Sequence, residues 1–132
     1  MSRYAVFVAL AALAAAALIE AQTAPPAVVR KVLLQQDLVS PANYSLALVS
    51  VEIPVGGREG RHTHSGSLAV YVLEGAISMD YEGRPSVTYK AGETAFIEAG
   101  TIHEGFNRGT VAARGIASFV VPKGQPLTTQ VP

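Results

Sequence analysis

The chain has no cysteine among its 132 residues. Disulfides, thiolate nucleophiles, iron–sulfur clusters and lipid attachment through a thiol are therefore excluded. It also has no surplus of charge: Lys and Arg total 10, Asp and Glu total 10, and the formal net charge is 0. A nucleic-acid binder would carry a basic stripe, and binding to an anionic membrane would call for a basic cluster. The basic residues here are scattered, so neither partner is expected. Helical periodicity of useful length is missing from the body of the chain, as are internal repeats and charged low-complexity tracts. Histidine occurs only three times, so few residues can contribute to any imidazole site.

What is present first is an apolar leader. "MSRYAVFVALAALAAAALIEAQTAPP" carries one cation, Arg3, then an apolar run from Tyr4 to Ile19, then polar residues and a proline pair. This is the layout of a secretory signal peptide. Residues 1–21 are assigned to it, with cleavage after Ala21 and Gln22 as the mature N-terminus. A membrane span needs about 20 apolar residues, more than this run supplies, so no stable span is expected after cleavage. The expected location is periplasmic or secreted.

The mature chain reads as short β-rich runs punctuated by glycine and proline, the pattern of an all-β sandwich or barrel in a single domain. Strands are predicted at Arg30–Asp37, Tyr44–Ile53, Arg61–His64, Ala69–Glu74, Ala76–Tyr81, Val87–Lys90, Ala95–Ile97, Glu104–Asn107 and Ala112–Val121. Residues 22–43 form a lead-in and an edge strand, residues 44–121 the barrel, and residues 122–132 a polar, proline-bounded surface tail. The segment Arg30–Ile53 is apolar enough to be covered by a second copy, so a homodimer is expected.

In "GREGRHTHSGSLAVYVLEG" (Gly57–Gly75), His62 and His64 are separated by one residue. Strand residues two apart share a face, so both imidazoles point the same way and offer half of a metal site. Two histidines alone are as readily explained by packing and hydrogen bonding. The third, His103, follows a turn in "GETAFIEAGTIHEGFN" (Gly92–Asn107) and leads into a strand.

With His103 in place, the spacing resembles the two motifs of the cupin superfamily. Gly56, His62, His64 and Gly75 fall on the first motif, and Gly92, Gly100, His103 and Asn107 on the second; the resemblance covers roughly residues 44–121. It implies a cupin double-stranded β-helix, a jelly-roll barrel, with His62, His64 and His103 as ligands of a divalent metal ion: Fe, Zn, Mn, Cu or Ni. It also implies a small-molecule ligand and, as one activity of the family, dioxygenase-type oxidoreductase chemistry. A barrel that binds a metal or small ligand without turnover is the alternative, and isomerase or hydrolase chemistry at a zinc or manganese centre is a third reading.

Two positions depart from the pattern. Leu68 stands where the first motif places its metal-binding glutamate, and Glu98 where the second places proline. Glu59, Glu98 and Glu104 are the carboxylates near enough in sequence to be weighed as a fourth ligand. Glu104 adjoins His103 on a strand and should face away; the directions of Glu59 and Glu98, in turns, are not readable. Leu68, Val70 and Val72 share one face and should line an apolar pocket beside the metal, favouring a hydrophobic or aromatic ligand. Arg61 and Arg108 flank the motifs and either bind a carboxylate at the barrel mouth or lie solvated. Asn107 is expected to cap a turn or hydrogen-bond near the site. Tyr71, Tyr81, Tyr89 and Phe96 are expected in packing roles.

Overall fold

The computed structural model describes residues 23–132, so the expected leader, residues 1–21, lies outside the described residues. Ten strands follow in order: β1 (Val29–Asp37), β2 (Tyr44–Ile53), β3 (His62–Thr63), β4 (Ser67–Glu74), β5 (Ala76–Tyr81), β6 (Arg84–Lys90), β7 (Thr94–Ile97), β8 (His103–Phe106), β9 (Ala113–Pro122) and β10 (Thr129–Gln130). They make two five-stranded sheets, ordered β1-β2-β9-β4-β7 and β10-β3-β8-β5-β6. Every pairing is antiparallel. No helix occurs among the described residues. The all-β jelly roll expected from the sequence is the architecture found.

Alternation builds the first sheet. In β2, β4 and β9 every second side chain is turned inward; β2 and β9 match along an unbroken register, and β4 follows β9 up to a register shift between Val72 and Glu74. Across the sheet, the inward residues fall into rows. One inward row runs Ala47, Phe119, Leu68, Ile97; the next runs Val49, Ala117, Val70, Ala95. These rows form the apolar wall that faces the second sheet. The second sheet answers with Ile77, Met79 and Tyr81 from β5. Each fully buried aliphatic side chain in this core contributes about 1.5–3 kcal/mol relative to exposure.

Some boundaries differ from expectation. β6 begins at Arg84 rather than Val87, because the β5–β6 hairpin closes over Glu82 and Gly83 with Gly83 at φ 76°. Pro85 is tolerated inside β6 since that strand is the outer one of its sheet, where a missing N–H breaks no ladder. The C-terminal tail lies largely on the surface, as expected, yet it is not structureless. Thr129 and Gln130 pair with Thr63 and His62, and the Val131 amide donates to the Arg61 carbonyl. Tyr81 and Tyr89 pack with hydroxyls 3.1 Å apart, while Tyr71 and Phe96 stand exposed on the outer face of the first sheet.

Candidate metal centre

β3 and β8 bring the histidines together. His62 on β3 lies directly opposite His103 on β8, so the two side chains share the inward face, and His64 follows two residues after His62 on that face. The ring centroids are 4.4 Å (His62–His103), 4.8 Å (His62–His64) and 4.9 Å (His64–His103) apart. All three residues are buried, and one ring nitrogen from each lies within 4.8 Å of the others.

Each ring is held by a backbone carbonyl. Nδ1 of His62 lies 2.8 Å from the Gly60 oxygen, Nδ1 of His64 lies 2.7 Å from the Leu127 oxygen, and Nδ1 of His103 lies 2.9 Å from the Thr101 oxygen. A carbonyl only accepts, so in each case Nδ1 carries the hydrogen and donates it. The neutral ring then presents Nε2 as a lone pair. This outer layer of carbonyls fixes tautomer and orientation in the manner typical of metal-binding histidines.

Electrostatics agree with neutral rings at His64 and His103. Burial pushes the His64 pKa down to about 4, opposed by the Leu127 carbonyl and reinforced by the neighbouring His62 and His103. Burial lowers the His103 pKa too, against the pull of the Thr101 carbonyl. Near neutral pH both rings therefore offer lone pairs with no proton to displace. Three convergent imidazoles are a donor set that fits a first-row divalent ion, so the residues present could hold one.

The histidines lie in a cavity of about 210 Å³ inside the barrel. Leu68 and Val70 line it, as expected, with Val49, Ile53, Ile97 and Phe119 among the other walls. Val72 does not line it. Its side chain is buried in the core instead, two residues further along β4 than Val70. The Phe119 ring meets His64 edge-on at 5.0 Å.

Of the two readings open for Arg61 and Arg108, the solvated one is found: both are exposed. Arg61 pairs with Glu82 at 3.3 Å, and Arg108 stacks over Phe106 with its guanidinium 4.6 Å from the ring centroid. The arginine that does line the cavity is Arg30 of β1, which pairs with Glu59 at 2.8 Å. No local motif marks Arg30; its inward direction comes from its pairing opposite Val51. Leu127 and Thr128 of the tail also line the cavity.

The three weighed carboxylates separate cleanly. Glu104 turns away and forms a two-pronged pair with Arg58 at 2.9 and 2.7 Å, which holds its carboxyl below the usual range. Glu98 is exposed in the turn after β7. Glu59 points into the cavity. Asn107 is buried and ties a turn together: its amide donates to the Ile53 and Val111 carbonyls, and its oxygen accepts from the Gly109 amide. It contacts none of the histidines by hydrogen bond, so its role here is turn capping.

Residues 49–119 match the family model described as the cupin domain. The chain belongs to the cupin superfamily. Comparison with curated protein sequences returns no match. Solved structures resemble this cupin in fold. A cupin-like protein from Thermotoga maritima superposes with a TM-score of 0.65 at 19% identity, over 79% of this chain and 75% of that one. The polyketide cyclase RemF from Streptomyces resistomycificus gives 0.60 at 24% identity, over 79% and 70%. DMSP lyase DddQ from Ruegeria pomeroyi gives 0.59 at 19% identity, over 65% of this chain but only 43% of its own. At these identities the likeness is one of fold.

Proposed function

We propose that this cupin is an exported metal-dependent enzyme in which His62, His64 and His103 hold a divalent ion at the side of an apolar cavity. The proposed chemistry is of the dioxygenase type, acting on a small hydrophobic or aromatic substrate. The single observation that carries the metal reading is the set of three Nε2 lone pairs, each aimed inward by a carbonyl bond to Nδ1. A bound ion of this kind supplies Lewis acidity and, for a redox-active metal, access to dioxygen.

This chain's own residues would do the rest. With three protein ligands, coordination positions are left for water or a chelating oxygen of the substrate. Leu68, Val70, Phe119 and their neighbours exclude water and select an apolar body. The cavity of about 210 Å³ is smaller than sites for drug-sized ligands, which run to roughly 300–1,000 Å³, so the substrate is small. Arg30 at the mouth gives the only guanidinium among the described cavity-lining residues, and its partner Glu59 offsets its charge.

The deciding experiment is elemental analysis followed by oxygen-electrode assays of the iron-loaded protein with small phenols and diketones. Substrate-dependent oxygen uptake by the metal-loaded form, absent from the metal-free form, is the expected result. Stoichiometric metal and ligand binding without any turnover would replace the enzyme by a binding module, the reading that the same apolar cavity also supports. Export belongs to the same proposal: protein recovered from the periplasm should begin at Gln22. So does a homodimer, supported by the exposed Val29, Leu33 and Leu34 on the edge strand β1. Light scattering that returns a monomer at high concentration would remove it.

A further inference from the structure

The first cupin motif places its carboxylate ligand where this chain has Leu68, yet a different carboxylate faces the histidines. The connection between β2 and β3 is laid antiparallel beside β8. The Gly56 amide donates to the Asn107 carbonyl, the Asn107 amide to the Gly57 carbonyl, and the Glu59 amide to the Gly105 carbonyl. Glu59 thus sits opposite Gly105. Gly105 is two residues beyond His103, so that position faces the cavity as His103 does.

Gly105 makes room for the Glu59 carboxylate. A Cβ built on Gly105 would stand 2.4 Å from Glu59 Oε2, an impossible contact, so only glycine leaves the carboxylate this seat. The carboxylate is anchored there at two points. Oε1 accepts from Arg30 at 2.8 Å, and Oε2 accepts from the Gly105 amide at 3.1 Å. It is also nearly withdrawn from solvent, with 9% of the side chain exposed.

The remaining direction of Oε2 is occupied by His62. Oε2 and His62 Nε2 are 4.0 Å apart. His62 is committed through Nδ1 to Gly60, so Nε2 is the ring nitrogen left to face Oε2. A shared cation fits between the two atoms. Two donors bound to one ion at about 2.0–2.2 Å each stand no more than about 4.4 Å apart, and this pair falls inside that limit.

Resting on the three-histidine metal reading, we infer that Glu59 supplies the carboxylate contact to the ion that Leu68 does not. The ligand set is then three imidazoles and one carboxylate, with the carboxylate delivered from the β2–β3 connection rather than from β4. Arg30 is its positioning residue. The substitution at Leu68 has not removed the negative charge from the site; it has moved the apolar wall to one side and left the charge on the other.

The test is titration of the metal-free full chain with Co²⁺ in competition with a chelator, followed by the visible absorption of the complex. Two variants accompany the wild type. Glu59→Gln keeps the shape and an acceptor for the Gly105 amide while removing the charge. Gly105→Ala leaves every candidate ligand in the chain and only displaces the carboxylate. Loss of a ligand, or of a group that orients one, lowers affinity by at least about ten-fold; that loss in Glu59→Gln, with shifted Co²⁺ bands, is expected. Gly105→Ala should change both readouts in the same direction. Wild-type binding with an unchanged affinity and spectrum in Glu59→Gln would overturn the inference and leave the histidine site standing; Glu59 would then only balance Arg30 or pair with a protonated His62. A wild-type affinity and spectrum in Gly105→Ala would equally overturn the placement of Glu59 over β8. A wild-type chain that takes up no Co²⁺ would instead defeat the metal reading beneath both.

Discussion

The two sheets of this cupin divide the work unequally. The first is made of long strands: β2 and β9 each run for ten residues and pair along their whole length. Its inward face is almost entirely apolar. The second is assembled from pieces, with β3 and β10 two residues each and β8 four. It carries His62 and His103 within strands, His64 immediately after one, and Glu59 in the connection that runs beside β8. Long ladders fix position through many cooperative backbone bonds and need no help from side chains. Short strands cannot, so around the site loops and tail add bonds: Gly100 donates to the His64 carbonyl, and Leu127 accepts from the His64 ring. Stability is concentrated in one layer and chemistry in the other.

The most severe way to break this comparison is to remove the imidazoles. A His62→Ala/His64→Ala chain should lose its metal almost completely by elemental analysis while keeping a β-type circular dichroism spectrum, because the first sheet is untouched.

Next in size is Leu68→Glu, which carries the site's chemistry into the apolar sheet. Without metal, a buried carboxylate lacking a partner should cost about 3–5 kcal/mol in urea unfolding. With zinc bound, the loss should shrink, and the metal-induced rise in melting temperature should exceed that of the wild type. An equal cost in both states would place residue 68 out of reach of the ion.

Acid should then single out the second sheet. Because the His64 pKa falls from the ordinary 6.5 to about 4 on folding, the unfolded chain binds more protons between those values, and stability rises with pH there. The contribution is complete above pH 6.5 and is lost as pH falls through about 4. Melting of the metal-free protein should follow that window, and His64→Gln should flatten part of the curve. The carboxyls of Glu104 and Asp37, both held low by hydrogen-bonding partners, account for the remaining fall at lower pH.

Val72→Ala tests the opposite side. This residue is 1% exposed and lies outside the cavity lining. Deleting two carbon groups should cost about 2 kcal/mol, with metal content unchanged. Smallest of all is Arg114→Ala on the outer face, where the guanidinium meets Glu52 at 3.0 Å and Glu74 at 3.3 Å in solvent. Exposed pairs of this type contribute about 0–1 kcal/mol, and the loss should shrink further in high salt.

Much of the site was legible because its information is local. Two histidines two residues apart on a strand must share a face, and the strand and turn signals around His103 gave that residue the same setting. The absence of a carboxylate at position 68 was equally plain. What spacing left open was non-local. Arg61 and Arg108 sit near the motifs in sequence, yet each is engaged by a neighbour outside the cavity. Arg30 is far from both motifs and reaches the cavity only through its register with β2. Glu59 could not be aimed from sequence because it lies outside regular alternation, and its direction depends on which strand its backbone bonds to.

By itself, then, the sequence determined the period-2 patterning, hence the sheets and their inward apolar rows, and the identity of the three imidazoles. Those properties follow from the geometry of a single strand, which every residue obeys wherever the strand ends up. Only the tertiary structure decided which carbonyls aim the rings, that the C-terminal tail holds His64, and that Glu59 faces His62 over a glycine. Those are contacts between segments distant in the chain. They are set by backbone pairing across the barrel, to which no local spacing of residues refers.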